Sequence, residues 1–230
     1  MKHYTLTSKD EPKERIQRLR DSMPGAKLAL YRYDAADPWP MRGFTRMANR
    51  VLRLSRVFDN EIICIYNDDI SFEDFAAWER RATEAIAGGA GAVMPVQVDS
   101  RNPHSVIMGG VFAAYPGGIH RIGTREQHCR DEQERVRWLP FCAVAFNPRA
   151  LQEVGLLDES MVMWFSDSDW CLRARLAGFD IILDRGVVIR HDNHATVGQI
   201  QPATPAAVRL TADKEAFRRK WGGEQLADYS

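Results

Sequence analysis

Apolar positions along the chain fall into short unbroken runs separated by amphipathic stretches, which predicts strands and helices in turn. His3-Tyr4-Thr5-Leu6-Thr7-Ser8 is a short strand-like run. A helix follows, with Pro12 near its first turn, Ile16, Leu19 and Met23 at helical spacing, and Pro24-Gly25 as its stop. Lys27 to Tyr33 is a second strand, and Asp34 to Pro40 a loop. Gly43-Phe44 leads into a helix through Met47, Val51, Leu52 and Leu54. The next run, Ile62-Ile63-Cys64-Ile65-Tyr66, is uninterrupted and rich in β-branched residues, as suits a strand buried on both faces. It stops abruptly at Asn67-Asp68-Asp69. Ser71 to Asp74 resembles a helix cap before a helix through Trp78 to Ile86, and Ala92 to Val98 is another strand. A β-α-β order with short links predicts a parallel sheet.

The second half is less regular. From Asp99 to Trp138 glycines and polar residues dominate, with a β-hairpin or irregular segment expected around Val106 to Tyr115 and a mobile loop after it. The run Arg125 to Arg135 mixes charge signs and reads as a solvated face. Leu139 to Phe146 is strand-like, and Pro148 to Val154 a short helix stopped by Gly155. Ser166-Asp167-Ser168-Asp169 precedes a helix expected from Trp170 to Ala177. Ile181 to Leu183 and Val187 to Ile189 read as two short strands, with His191 after the second, and a last helix runs from Ala212 to Trp221.

Composition narrows the function classes. The 31 basic and 31 acidic residues of this 230-residue chain cancel, which argues against a strongly basic nucleic-acid binder. No apolar run reaches the ~18 residues of a membrane helix, and the first ten residues lack an apolar signal core. A soluble, cytoplasmic protein is expected. Cys64, Cys129, Cys142 and Cys171 form no C-x-x-C pair and read as small core residues rather than zinc ligands.

Three stretches carry candidate chemistry. Asp68 and Asp69 end a buried strand at the sheet edge where α/β proteins bind ligands. Adjacent acids there suit a hard divalent cation, Mg2+ or Mn2+, shared with a phosphate; an acidic turn is the plainer reading. Ser166 to Asp169 sits before a helix, where one residue suffices for capping and the second acid exceeds that need. A carboxylate at a helix N-terminus stays ionised and can serve as general base. His191 directly follows a strand, as Asn67-Asp68-Asp69 does, and imidazole suits Mn2+ better than Mg2+; His194 could take its place.

In combination these pieces resemble the inverting family 2 glycosyltransferases. The likeness rests on the Ala48-Asn49 helix, the strand ending at Asn67-Asp68-Asp69, Ala150 to Glu159, Phe165-Ser166-Asp167-Ser168-Asp169-Trp170-Cys171-Leu172-Arg173, and Phe217 to Gly222, an ending common in rhamnosyltransferase-like members. The resemblance implies an α/β GT-A fold, Rossmann-like, with a mostly parallel central sheet flanked by helices and a small antiparallel portion. It implies one domain over residues 1–230, with a nucleotide-sugar half at 1–98, an acceptor half at 99–222 and a tail at 223–230. It further implies metal-dependent transfer of a hexose-like sugar from a nucleotide-diphosphate sugar to an acceptor hydroxyl. Asp167 would be the base, Asp69 and His191 would hold Mn2+ or Mg2+, and Thr5, Thr7, Asp34, Asn67 and Asp68 would hold the nucleotide sugar. Asn67 and Ser166 stand where the family pattern has acids. The acceptor is left open among a glycan, a lipid-linked sugar, a protein and a hydroxylated DNA base, the last as in viral enzymes with Arg121, Arg125, Arg130, Arg135 and Arg137 as phosphate contacts. A non-catalytic nucleotide-sugar-binding module is the alternative of a different class.

Overall fold

The computed structural model describes residues 1–8, 13–33, 43–54, 60–109, 122–192 and 204–222. Asp34, Arg121 and His194 lie outside them.

One sheet organises these residues. Strands β1 (Lys2–Ser8), β2 (Leu28–Tyr33) and β3 (Ile63–Asn67) pair in parallel in the order β2-β1-β3. The next strand in space is β9 (Ala143–Phe146), antiparallel both to β3 and to β5 (Ala90–Asp99). Strand β10 (Asp180–His191) lies parallel to β5, so β1, β2, β3, β5 and β10 all point the same way. Short antiparallel partners complete the sheet: β4 (Ile70–Phe72) and β8 (Gln133–Arg135) on β10, and β6 (Ser105–Met108) on β5 with β7 (Gly123–Thr124) beside it. Residues 110–121, on which the later part of the expected hairpin falls, are outside the described set.

Helices α1 (Lys13–Asp21), α2 (Phe44–Leu54), α3 (Phe75–Ala87), α4 (Arg125–His128), α5 (Pro148–Val154) and α6 (Ser166–Leu176) pack on this sheet, and α7 (Pro205–Trp221) packs against α6 through Phe217 and Trp221. Asp74 caps α3 by accepting from the Ala77 N–H at 2.9 Å. The run Ile63 to Tyr66 is wholly buried, as its unbroken apolar pattern requires.

Two expected boundaries move. The two short strands at 181–183 and 187–189 are one strand, β10, with a register shift between Asp184 and Val188. Its polar centre is internal because Asp184 pairs with Arg81 at 2.8 Å, and Arg185 with Glu132 and Glu134. The Arg185 pairs, with Asp131 on Arg81 and Arg125 on Glu73, tie the mixed-charge run to the sheet, so that run is more than a solvated face. Helix α6 starts at Ser166 rather than Trp170. Phe165, in the left-handed region at φ 69°, turns the chain into it, and no side chain caps it. Ser166 to Asp169 thus form the first turn instead of a linker before the helix.

Candidate active site

Because five strands run in one direction, their carboxyl ends meet at one edge. The register sets Asn67 there beside Leu6, and His191 opposite both Asp99 and Ile70. The turn between β3 and β4 carries Asp69, whose backbone carbonyl accepts from the Asp192 N–H at 2.9 Å. Strand β9 runs the other way, so its start reaches the same edge, and Asn67 N–H donates to the Cys142 carbonyl at 2.8 Å. Here lies a cavity of about 190 Å³ lined by Asn67, Asp69, Asp167 and His191, with Phe44, Pro140, Phe141, Cys142, Met163 and Trp164 around them.

Asp69 and His191 meet within this cavity. The two side chains are mostly buried, and His191 Nε2 stands 3.4 Å from Asp69 Oδ1. His191 Nδ1 lies 2.8 Å from Gln97 Oε1, an acceptor, which requires the proton on Nδ1. Nε2 is then the ring nitrogen turned toward Asp69. Oδ1 of Asp69 is buried and receives no hydrogen bond from the described residues. An imidazole nitrogen and a buried carboxylate oxygen without a hydrogen bond, facing one another across such a gap, suit a shared cation, and Gln97 is the kind of outer partner that orients a ligating histidine. Among the described residues no set of three or more His, Cys, Asp or Glu could enclose a metal. Asp69 and His191 would supply two donors, as magnesium-type sites that keep water or phosphate ligands require.

Asp167 faces the same cavity from the first turn of α6. Burial pushes its carboxyl up to about 6, opposed by backbone N–H groups including that of Ser168, which donates to Asp167 Oδ1 at 2.7 Å. A base with this affinity takes up a proton efficiently near neutrality. Its neighbour Asp169 has a different task. It is wholly buried and binds Arg173 Nε at 2.9 Å, Lys220 Nζ at 2.7 Å and Trp221 Nε1 at 2.9 Å, tying α6 to α7. Ser166 is buried too, hydrogen-bonded to the Thr45 hydroxyl at 2.8 Å.

The remaining candidates stand apart from the cavity. Thr5 is buried in mid-strand and donates to the Tyr66 carbonyl at 3.0 Å. Thr7 is buried near the end of β1, and Asp68 is half-buried beside Asp69. Neither threonine nor Asp68 lines the cavity. Cys142 does, but burial pushes its thiol well above the ordinary range, so it stays neutral.

Several residues of the site carry little sequence signal. Gln97 interrupts the apolar run of β5 two residues before Asp99 ends the strand, which is the one hint available for it. Asp213 of α7 is wholly buried; its Oδ1 accepts from Val162 N–H at 3.0 Å, and its Oδ2 from Met163 N–H at 2.9 Å and Trp164 N–H at 3.0 Å. Arg209, one turn earlier, pairs with it at 2.9 Å. Asp213 shares a helical stripe with Phe217 and Trp221, so an acid on a buried face was the available signal.

Neither a protein-family model nor a curated relative matches the sequence. Solved structures match the fold. A crystal structure of GalNAc-T7 with UDP, GalNAc and Mn2+ aligns with a TM-score of 0.54 at 9% identity, over 83% of this chain and 44% of that one. The chain therefore spans less than half the length of that neighbour. A197 from STIV aligns at 0.52 and 7% identity, covering 83% and 85% of the two chains. The catalytic domain of Drosophila β1,4-galactosyltransferase 7, in complex with xylobiose, aligns at 0.51 and 9% identity over 90% and 78%. With its central sheet of mostly parallel direction, antiparallel additions and covering helices, the chain has the GT-A fold of these glycosyltransferases.

Proposed function

We propose that the protein is an inverting glycosyltransferase that moves a sugar from a nucleotide-diphosphate donor to an acceptor hydroxyl. The observation that carries this reading is the meeting of the Asp69–His191 pair with Asp167 in one cleft. The GT-A fold supports it, and GalNAc-T7, of that fold, was crystallised with UDP and Mn2+.

Asp69 and His191 are the residues that would hold Mn2+ or Mg2+, whose chemistry is to neutralise charge that builds on the leaving diphosphate. Asn67, at the end of β3, would contact the donor from the same side. Asp167 takes the proton of the acceptor hydroxyl. That oxygen forms a bond to the anomeric carbon as the carbon–oxygen bond to the diphosphate breaks on the opposite face, and the electron pair leaves with the diphosphate. Thr7 and Asp68, beside the same strand ends, are proposed donor contacts outside the cavity wall.

Arg125 is held by Glu73 and Arg135 by Asp180, and no arginine or lysine among the described residues lines the cleft. This favours an acceptor other than a nucleic acid. The catalytic reading is preferred to the non-catalytic one because Asp167, a carboxylate with its proton affinity raised by burial, lines the same cavity as Asp69 and His191. The direct test is thermal unfolding of the chain with UDP-, GDP- and dTDP-sugars, with and without MnCl2, followed by product analysis for the sugar that stabilises it. No stabilisation by any donor with Mn2+ would overturn the reading.

A further inference from the structure

We propose that the outer face of α2 carries a second ligand site, a compact pocket built from Arg46, Arg50, Arg53 and Glu159, and that its ligand is a phosphate-bearing anion. The site stands apart from the transfer reading, because none of these four residues lines the cleft.

The spacing of the arginines sets the pocket. Residues three and four apart on a helix share a face, so Arg46, Arg50 and Arg53 stand side by side on α2. They surround a cavity of about 250 Å³ whose lining, among the described residues, holds a single acid, Glu159. Burial raises the Glu159 carboxyl, but hydrogen bonds from Asn49 and Arg53 outweigh it and hold the group below its ordinary range, so it is ionised at neutral pH. Like charges at this spacing repel, and one carboxylate cannot neutralise three guanidiniums. The pocket is left with an excess of positive charge that a bound anion would offset.

The guanidiniums are held in place with donors to spare. Asn49 clamps the segment before Glu159 against α2: its Nδ2 donates to the Leu157 carbonyl at 2.9 Å, and its Oδ1 accepts from the Leu157 N–H at 3.0 Å. Glu159 Oε1, fixed in this way, accepts from Asn49 Nδ2 and from Arg53 Nη2, each at 3.0 Å. Its Oε2 faces Arg46 Nε at 3.2 Å, yet that nitrogen is buried and makes no hydrogen bond among the described residues. The Arg50 guanidinium lies over the Tyr31 ring, 5.5 Å from its centroid. Stacking of this kind fixes the plane of a guanidinium and leaves its N–H groups for another acceptor. Phosphate oxygens match the planar fork of arginine in pairs, and one phosphate has oxygens enough to bridge several forks at once. A carboxylate side chain from a protein partner would bring a single charge and two oxygens. Because Glu159 and Tyr31 orient the forks before a ligand arrives, little ordering is left to oppose binding.

Isothermal titration calorimetry of the full chain with sodium pyrophosphate tests the site, in EDTA so that no divalent cation carries the probe into the cleft. The unsubstituted chain is expected to bind it. Arg50→Ala, at an exposed position, should weaken binding about tenfold, the worth of one charge-assisted contact. Arg50→Lys keeps the charge without the planar fork and should recover only part of that loss. Co-sedimentation with vesicles of phosphatidylcholine, with and without phosphatidylglycerol, separates the sources of the phosphate. Sedimentation with the anionic vesicles that requires Arg50 and is displaced by pyrophosphate identifies a lipid headgroup. Pyrophosphate binding without sedimentation identifies a free phosphate, and either result supports the site. No binding of pyrophosphate, or binding unchanged in Arg50→Ala with native circular dichroism, overturns it. So does Arg50-dependent binding of a single-stranded oligonucleotide that pyrophosphate fails to displace.

Discussion

His191 Nε2 and Asp69 Oδ1 face each other across 3.4 Å with a proton required on the far nitrogen of the imidazole. Strand pairing sets this contact, since His191 lies opposite Ile70, the residue after Asp69. A cation held between them would bind the folded chain alone. MnCl2 is therefore expected to raise the unfolding midpoint, since a ligand present at a hundred times its Kd adds about 2.7 kcal/mol. Asp69→Ala should remove the shift, as should addition of a chelator. An unchanged shift in Asp69→Ala, read by thermal unfolding, would remove that residue from the role.

Gln97 fixes the ring from behind. Its Oε1 accepts from His191 Nδ1 at 2.8 Å, and its Nε2 points at Met94 Sδ 3.7 Å away. Gln97→Leu keeps similar volume but frees the imidazole tautomer. Loss of such an outer partner typically weakens metal binding by about 10–100-fold. Titration of Mn2+ by calorimetry should show this loss while the far-ultraviolet circular dichroism stays native.

Asp167 supplies a prediction whose two halves point in opposite directions. Burial raises its carboxyl to about 6, so the ionised base is lost as pH falls, and transfer should drop by about tenfold for each pH unit below that value. Stability follows the other sign. A carboxyl whose folded-state affinity exceeds the ordinary 3.8 binds protons more tightly when folded, so its charge weakens the fold as pH rises from about 4 to 6 and throughout the range above. Asp167→Asn removes that charge while keeping an oxygen for the Ser168 N–H. It should abolish transfer and raise the unfolding midpoint at pH 7 by a few degrees. Near-normal turnover in a pH–rate series would exclude Asp167 as the base.

These residues differ in how far the sequence announces them. Ile63 to Asn67 is legible because a strand covered on both faces needs an unbroken apolar run, and its polar stop can only lie at an edge. Asp69, Asp167 and His191 are legible by the same logic, each following or opening an element. Strand β10 is not, because Asp184-Arg185-Gly186 looks like a turn. Only the ion pairs to Arg81, Glu132 and Glu134, from elements distant in the chain, allow such residues inside a sheet. The start of α6 is hidden for a related reason: it depends on a left-handed Phe165 rather than on a capping side chain. Trp164 and Gln97 acquire meaning only through partners brought together by the fold.

Asp213 yields the last prediction. Its carboxylate is wholly buried and satisfied by three backbone N–H groups and by Arg209. Removing it leaves those donors and a half-buried guanidinium without a partner, a change that typically costs about 3–5 kcal/mol. For a chain of this length that corresponds to a fall of roughly 10 °C in the unfolding midpoint of Asp213→Ala. Asp213→Asn is milder in volume but turns an amide N–H toward at least one of the three backbone donors. A purely structural role predicts that whatever folded Asp213→Asn protein remains behaves normally. A positioning role predicts a lower kcat/KM in that fraction, because the displaced segment carries Met163 and Trp164, which line the cleft. Steady-state kinetics on the folded fraction, with each substrate varied in turn, separates the two.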